Sequence, residues 1–578
     1  MQNNNKKFLL ITAYVILLIT GGCTKLDEQV YDKVDVSQFL TRRDDVIRDF
    51  LRPFEHAYWS IQGNDSYAAS ENSTDEIGTF NRQGDWQDGG YYQRMHKHTW
   101  TTQDGFTSGA WTAFYQGIVL ATNSLQDMES ITDPAKLNVT PTELADFKAE
   151  LRTLRAWFYL RAFDFYRNIE IITDVKHTTT GNKQSPPTET FNYIEAELKA
   201  ALPDLPKRET LGDKGIGRWT QAGAAALLVR LYLNAKIYAG QERYTDCAAV
   251  CQDIINGKYG NYQLDTRWDA PFDYTNNTVN SETIYGFPCS LARTHWQYDG
   301  GMFFWAMTYD AAPLYCGFTD FNQANPRYAL QPGRDVDSVE YSFILGKPFI
   351  KFQHYPDDYR LKLYKNLGNS KREGMFLFGY LPYQHVVNGN TVTDTVRGNK
   401  GNYPLFIRDQ VGWFLDAKPG QRITDKESDM NHADHNSGVF FLKYPLYPTP
   451  DPNRITSAYA EVRLSEIYYS LAECKYRSGD KATAATLLNA VRQRNYPAGS
   501  PSLYKADGSQ LNDQEMLDEW GREFFGENRR RTDLIRWGVF NTGTWWDKQP
   551  DADVHTAIFP IGKDIMGANP QFEQNPGY

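Results

Sequence analysis

The chain has 578 residues and a formal net charge of −10, with 61 Lys and Arg against 71 Asp and Glu. No basic block runs through it, which excludes nucleic acid as a partner and an electrostatic grip on anionic lipid. Aromatics make up 14% of the chain, with 37 Tyr and 14 Trp; that exceeds what a core needs and points to recognition surfaces.

The chain opens as an export signal. Lys6-Lys7 is a positive n-region, residues 8–19 are an apolar stretch, and Gly21-Gly22 precede Cys23. Residues 1–22 are therefore predicted to be a signal peptide. A Cys directly after small residues resembles a lipobox, so Cys23 is expected to become the acylated first residue, with 23–42 as its tether. Thr20 departs from that pattern, standing where an aliphatic residue is usual. Lys25-Leu26-Asp27-Glu28 resembles the acidic tags that send lipoproteins to the outer face of the cell. No later run reaches the roughly 20 apolar residues that cross a bilayer, so the expectation is a protein anchored to a membrane through its lipid alone. Cys247, Cys251, Cys289, Cys316 and Cys474 show no metal-ligand spacing and read as small apolar fillers.

From 43 to 260 the pattern is helical. Val46, Ile47, Phe50, Leu51 and Phe54 mark a helix over 44–58, and Phe114, Ile118, Ala121 and Leu125 another over 111–128. Thr140-Pro141-Thr142-Glu143 is a capping box with Pro at the first helical position. It opens a long helix carrying Phe147, Leu151, Leu154, Phe158, Ala162 and Phe165. Further helices are predicted over 191–202, 220–238 and 242–256, with Ala222, Ala225 and Ala226 as a face for close packing. Between 261 and 456 periodicity fades while Gly, Pro, Asn and aromatics rise. Val387-Asn388-Gly389-Asn390 signals a β-hairpin there. A segment this long without regular pattern is expected to be functional, packed on the helices as one body.

Residues 457–578 return to helix. Leu464, Ile467, Leu471 and Cys474 predict a helix over 461–476, Gly479-Asp480 a break and cap, and Ala484, Leu487, Leu488 and Val491 a second helix. The two make a hairpin of tetratricopeptide type. A third helix carries Leu517, Trp520 and Phe524 inward, and its charges (Glu527 with Arg530 and Arg531, Arg530 with Asp533, Asp533 with Arg536) are spaced to pair along it. The helix pairs are separated in sequence, which predicts a packed scaffold rather than an open solenoid.

Ala460-Glu461-Val462-Arg463-Leu464, Asn489-Ala490-Val491-Arg492-Gln493-Arg494, Asp533-Leu534-Ile535-Arg536-Trp537-Gly538, Phe559-Pro560-Ile561, Asn569-Pro570 and the ending Gln574-Asn575-Pro576-Gly577-Tyr578 stand in an order that resembles the SusD/RagB family of cell-surface nutrient-binding lipoproteins. Trp520, Phe524 and Asn528 depart from it, where the family has Arg, Leu and Gly. The resemblance implies a mainly α fold: tetratricopeptide-like hairpins forming one body with a long irregular insertion that contains short β-hairpins. It also implies oligosaccharide capture outside the cell, in partnership with a TonB-dependent outer-membrane transporter of SusC type, with no cofactor.

Sugars offer C–H faces that stack on rings and hydroxyls that need fixed hydrogen-bond partners. The glycine-rich loop from Arg82 to Tyr92 supplies both kinds of group. Trp86 and Tyr91 are candidate faces, and Arg82, Asp85 and Asp88 candidate polar partners. Its passage through Trp100 looks like the ligand loop of SusD-like glycan binders. Trp296 and Tyr298, in the insertion, are the preferred second pair; Tyr380, Tyr383 and Trp413 have no basis for choice among them. Asp425 to Asp429 with His432, Asp434 and His435 fits neither a helix-borne ligand set nor an EF-hand, and reads as a solvated loop without metal. No nucleophile elbow, zinc-protease, P-loop or dinucleotide motif is present, so the reading is a binding protein and not an enzyme. The rivals are a peptide-binding member of the same family, a surface glycoside hydrolase, and a scaffold that only docks partners.

Overall fold

In the computed structural model, which describes residues 40–62, 65–176, 183–215, 217–273, 281–288, 314–316, 327–368, 371–398, 403–414, 425–445 and 457–578, the apolar periodicities become helices packed in sequence order. These are α1 (Arg43–Gln62), α2 (Gly105–Glu129), α3 (Pro141–Tyr166), α4 (Pro187–Ala201), α5 (Gln221–Leu233) and α6 (Tyr244–Ile255), each against the next. The array does not stop where the irregular insertion begins. Helix α6 lies against α7 (Leu464–Arg477), which pairs with α8 (Lys481–Arg492). Helix pairs separated in sequence by the insertion are thus contiguous in space. Cys23, Trp296 and Tyr298 lie outside the described residues.

The helix ends follow the sequence signals. The Thr140 hydroxyl accepts a hydrogen bond from the Glu143 amide at 3.1 Å, and Asp480 accepts one from Thr483, also at 3.1 Å. Gly479 takes φ +89°, the left-handed conformation that closes α7. Removing the first of these caps with Thr140→Ala is expected to lower stability by about 1 kcal/mol, read as a shift in the urea midpoint. Helix α5 is buried nearly all round, Ala222, Ala225 and Ala226 being fully buried. Cys247, Cys251, Cys316 and Cys474 are free and buried; Cys289 is outside the described residues.

Two expectations for the C-terminal region are corrected. Residues 461–463 are not helical: β6 (Tyr459–Arg463) pairs antiparallel with β2 (Thr283–Phe287), and α7 starts only at Leu464. Aromatic and β-branched Tyr459 and Val462 suit a strand buried between helices and insertion. The third helix is two, α9 (Asp513–Phe524) and α10 (Arg530–Arg536). Gly526 and Asn528, at φ +68° and +61°, make the break. This also explains Asn at a position where the family resemblance has Gly, since Asn is among the few other residues that tolerate that conformation.

The charges also pair differently from the local spacing. Arg530 reaches Asp75 at 2.7 Å and Glu76 at 3.4 Å, Arg531 reaches Asp164, and Glu527 takes Lys443 and Arg463. Of the predicted helical pairs only Asp533 with Arg536 forms, at 2.7 Å. The charged side of this region is buried and joins distant segments instead of facing water.

The insertion shares the core. One buried apolar cluster runs from Ala57 to Phe572 and includes Tyr328, Leu330, Phe376, Leu405, Phe440 and Leu442. Strand β1 (Ile77–Gly78) pairs with β3 (Ala329–Leu330), tying the insertion to the segment before α2. The Asn388-Gly389 turn joins β4 (Pro382–Val387) to β5 (Asn390–Thr395) in register, with φ of +50° and +80° as a type I′ turn requires. No helix among the described residues is long and apolar enough to cross a membrane.

Candidate functional site

The loop that follows β1 is built from conformations most side chains avoid. Gln83, Trp86 and Asp88 have φ of +54°, +63° and +39°, and Gly84, Gly89 and Gly90 are positive as well. Each non-glycine residue in such a state costs on the order of 1–3 kcal/mol, which persists only where surrounding contacts enforce it; such strain clusters at functional sites.

The enforcing contacts come from the insertion. Asn81 donates its amide to the Met430 carbonyl at 2.9 Å, and Arg82 bridges Ala433. The Arg82 side chain is fully buried; Nη1 donates to the carbonyls of Asp434 and Ser437 at 2.6 and 2.7 Å, and the guanidinium lies 5.0 Å from the Phe440 ring. This corrects the expectation that Arg82 offers its donors to ligand. It is the pin that seats the loop. At the far end Arg94 donates to the Gly89 carbonyl at 2.8 Å and to Asp104 at 2.8 Å.

The solvated-loop reading of 425–435 is corrected for its second half. Asp434, His435, Asn436 and Ser437 are buried. The Asp434 carboxylate accepts from the amides of Phe414 and Asn436, at 2.6 and 2.8 Å. Burial pushes the Asp434 carboxyl above its ordinary range, while those hydrogen bonds work the other way. A carboxylate that closes a turn on backbone amides satisfies groups that would otherwise be buried without partners.

Upon this seat the candidate residues are arranged as follows. Trp86 is half-buried, edge-on to Tyr92 at 6.0 Å, with the Arg327 guanidinium 5.3 Å from its ring. Tyr91 is also half-buried, 5.2 Å from Tyr92 and 5.8 Å from Phe106. Asp85 is half-buried, 3.6 Å from His435, and Asp88 is exposed. One loop therefore carries two partly exposed rings, both packed against the core, with Asp85 half-buried and Asp88 exposed beside them.

Sequence reasoning named Trp413 beside Tyr380 and Tyr383 without a basis for choosing it. Its indole is 44% exposed, and its neighbours are fixed to the same turn that holds Arg82: Gly412 donates its amide to the Ser437 hydroxyl at 3.1 Å, and Phe414 to Asp434. His432 leans on it, ring centroids 5.2 Å apart. The two nitrogens of His432 face Glu427 at 2.6 Å and Asp429 at 2.9 Å. Burial works against the imidazolium, but Asp429, Glu427 and Asp425 together raise its pKa above the ordinary value. Potential ligand atoms of Glu427, Asp429 and His432 lie within 4.8 Å of one another, a grouping that linear spacing did not reveal. Both ring nitrogens are turned to carboxylates, a setting that favours the imidazolium form. Elsewhere, a hollow of about 540 Å³ lined by His56, Trp111, Tyr115 and Gln116 shares no residue with this surface.

Comparison with known proteins bears on this arrangement. Residues 421–578 match the model of the SusD family. The chain is 24% identical over 532 residues to the starch-binding protein SusD of Bacteroides thetaiotaomicron, covering 85% of this chain and 82% of that protein. It is 35% identical over 157 residues to SusD-like protein P25 of Formosa agariphila, covering 27% of this chain and 23% of the relative. Among solved structures, a SusD superfamily protein from Parabacteroides distasonis superposes with a TM-score of 0.64 at 16% identity, over 92% of this chain and 99% of the other. A laminarin-binding SusD-like protein gives 0.64 at 19% identity, over 93% and 100%.

Proposed function

The chain belongs to the SusD/RagB family, and from that premise we propose that it is a glycan-capturing lipoprotein of the outer-membrane surface, tethered through Cys23. It holds oligosaccharide by stacking and passes it to a SusC-like TonB-dependent transporter. The observation that carries the proposal is the strained loop around Trp86, whose unfavourable backbone is held by contacts from a segment about 350 residues later in the chain. A merely connecting loop has no need of conformations that must be stabilised from elsewhere. Two relatives bear names of glycan binding, one to starch and one to laminarin, which supports a carbohydrate cargo here.

The mechanism is binding without chemistry. Trp86 and Tyr91 offer ring edges and faces to sugar C–H groups, and Asp85 and Asp88 accept from hydroxyls. Arg82 contributes by holding the loop. Trp296 and Tyr298, outside the described residues, are proposed as the second pair of stacking rings. Stacking contributes on the order of 1–3 kcal/mol per ring by analogy with bases, so affinity for one chain end is modest and release to a transporter is rapid. Isothermal titration against a glycan panel tests it. Trp86→Ala is expected to weaken binding roughly tenfold, the equivalent of about 1.4 kcal/mol. Unchanged binding in both Trp86→Ala and Trp296→Ala removes the site assignment, and new reducing ends from incubated polysaccharide would point to a hydrolase instead.

A further inference from the structure

We propose that the helical scaffold encloses a binding site for one small monovalent anion, of halide size, beside Arg161. Nothing in it depends on the glycan-binding reading.

The site starts from one guanidinium. Arg161 stands on α3, 5.1 Å from the Trp157 ring and 5.3 Å from that of Phe114. The Asn528 amide donates its nitrogen to the Ser70 hydroxyl at 2.8 Å and turns its oxygen to both terminal nitrogens of Arg161, at 3.2 Å. Nε of Arg161 is buried without an acceptor. Its partners are thus a neutral amide and two rings, and among the described residues it forms no ion pair. An arginine does not shed its proton inside a protein, and a buried charge without a counter-charge is strongly destabilising.

The carboxylates around it are committed elsewhere. Glu461 and Glu466 meet Arg230 and Arg529, two anions with two cations. Asp164 meets Arg531, and also accepts from Tyr238 and Thr532. Glu527 belongs to a set in which Glu527, Glu282, Glu523 and Asp358 face Lys443, Arg463, Arg494 and Arg360, four with four. Each set closes on itself among the described residues, and Arg161 is left over. Arg167, at the end of α3, is likewise in no ion pair there, its guanidinium 4.5 Å from the Tyr238 ring. Glu71 accepts the backbone amide of Asn528 at 2.6 Å, but burial raises it to about 7, so it carries at most part of a charge near neutral pH. Burial also pulls the Arg161 group below its ordinary value, and the field of Glu461 opposes this without cancelling it. The balance here is positive, in a chain that is negative as a whole.

Space and donors complete the site. A cavity of about 80 Å³ lies between α3, the end of α5, β6 and the break between α9 and α10, and Arg161, Arg529, Ser70 and Asn528 line it. Asp164, Glu461 and Glu527 line it too, in the pairs given above. The volume equals roughly two or three waters at about 30 Å³ each, room for a halide and too little for a sugar ring. The Ser70 hydroxyl accepts from Asn528 and keeps its own proton for an anion. An anion held by Arg161 and Ser70 ties α3 to the segment before α2 and to the left-handed Asn528 of the α9–α10 break. It binds the folded chain alone, and so stabilises it by mass action.

Crystals of the full chain grown without halide and soaked in bromide decide it, with diffraction recorded at the bromine edge. The expected result is an anomalous peak in this cavity, within hydrogen-bond reach of the Arg161 guanidinium. In solution, the urea midpoint should rise and saturate as chloride replaces gluconate, an anion too large to enter, at constant ionic strength. Arg161→Met should lose both the peak and the chloride-dependent rise; if that variant does not fold, the peak in the unaltered chain still decides. Water alone in the cavity, with no anomalous peak, overturns the proposal. So does a peak without any chloride dependence in solution, which means binding forced by the soak. A rise that persists undiminished in Arg161→Met also overturns it, as a general salt effect.

Discussion

Arg463→Met is expected to destabilise the fold by about 3–5 kcal/mol, the cost of breaking a buried ion pair by removing one partner. Arg463 lies at the end of β6 with 1% of its surface exposed. Its Nε and Nη2 each reach Glu527 at 2.8 Å, and Nη1 reaches Glu523 at 3.0 Å and Glu282 at 3.2 Å. The guanidinium also lies 4.7 Å from the Phe524 ring. Methionine fills much of the volume but leaves those carboxylates short of a cation in a site closed to water. Arg494, which shares Glu282 and Glu523, and Lys443, on Glu527, cannot neutralise what remains. The comparison that isolates the electrostatic part is Arg463→Met with Glu527→Gln. Removing the uncompensated charge should recover part of the loss, because neighbours in one network are not additive. Urea denaturation measures both. A loss below about 1 kcal/mol, the value of an exposed pair, would mean that this cluster is hydrated and contributes little.

The same network marks the boundary of what linear sequence conveys. Caps and turns are local, so Thr140, Asp480 and the Asn388-Gly389 pair could be read directly, as could the apolar stripes of α2, α3 and α8. Ion partners are not local. The spacing of Glu527, Arg530 and Asp533 invites pairing along one helix, yet Arg530 is paired with Asp75, 455 residues away. Helical spacing shows that a pair is possible; burial decides which carboxylate is paid with a cation. Residues 461–463 show a related limit, since Glu461-Val462-Arg463 running straight into a helix carries the same letters as a strand until its partner at 283–287 is in place.

The candidate site was half legible for the same reason. Glycines and aromatics announced a special loop at 82–92, and the structure places Trp86, Tyr91, Asp85 and Asp88 along it. That Arg82 turns inward could not be read from composition, because its acceptors are carbonyls of Asp434 and Ser437. Trp413 was indistinguishable from other aromatics of the insertion. Its exposure and its link to the Trp86 loop both pass through that distant turn.

Thermal stability should peak on the acid side of neutrality, near about pH 5, and fall steeply below about pH 4. Two sets of buried carboxylates with opposite shifts produce this. In the first set burial alone would raise the pKa, but neighbouring cations outweigh it. Glu466 is held at about 2 by Arg230 and Arg529, Glu519 at about 2 by Arg492 and Arg522, and Asp547 at about 2 by His96 and Lys97. Asp75 and Glu523 lie lower still, beside Arg530 and beside Arg494 and Arg463. Folded values below the unfolded ones mean stability that is present above the ordinary carboxylate range and lost as pH falls through the folded values. For Glu466 and Glu519 that is on the order of 3 kcal/mol each at 1.36 kcal/mol per unit. In the second set burial dominates. Glu71 and Asp409 are raised to about 7 and Asp49 to about 6. Folded values above the unfolded ones mean stability that is complete below the ordinary range and lost as pH rises through the folded values. The two limbs cross between them. Circular dichroism melts from pH 8 to 2 measure the profile, and Asp409→Asn should flatten its upper limb while leaving the acid limb in place. A melting temperature that climbs steadily to pH 8, or a fold that survives unchanged at pH 2, contradicts the assignment of these partners.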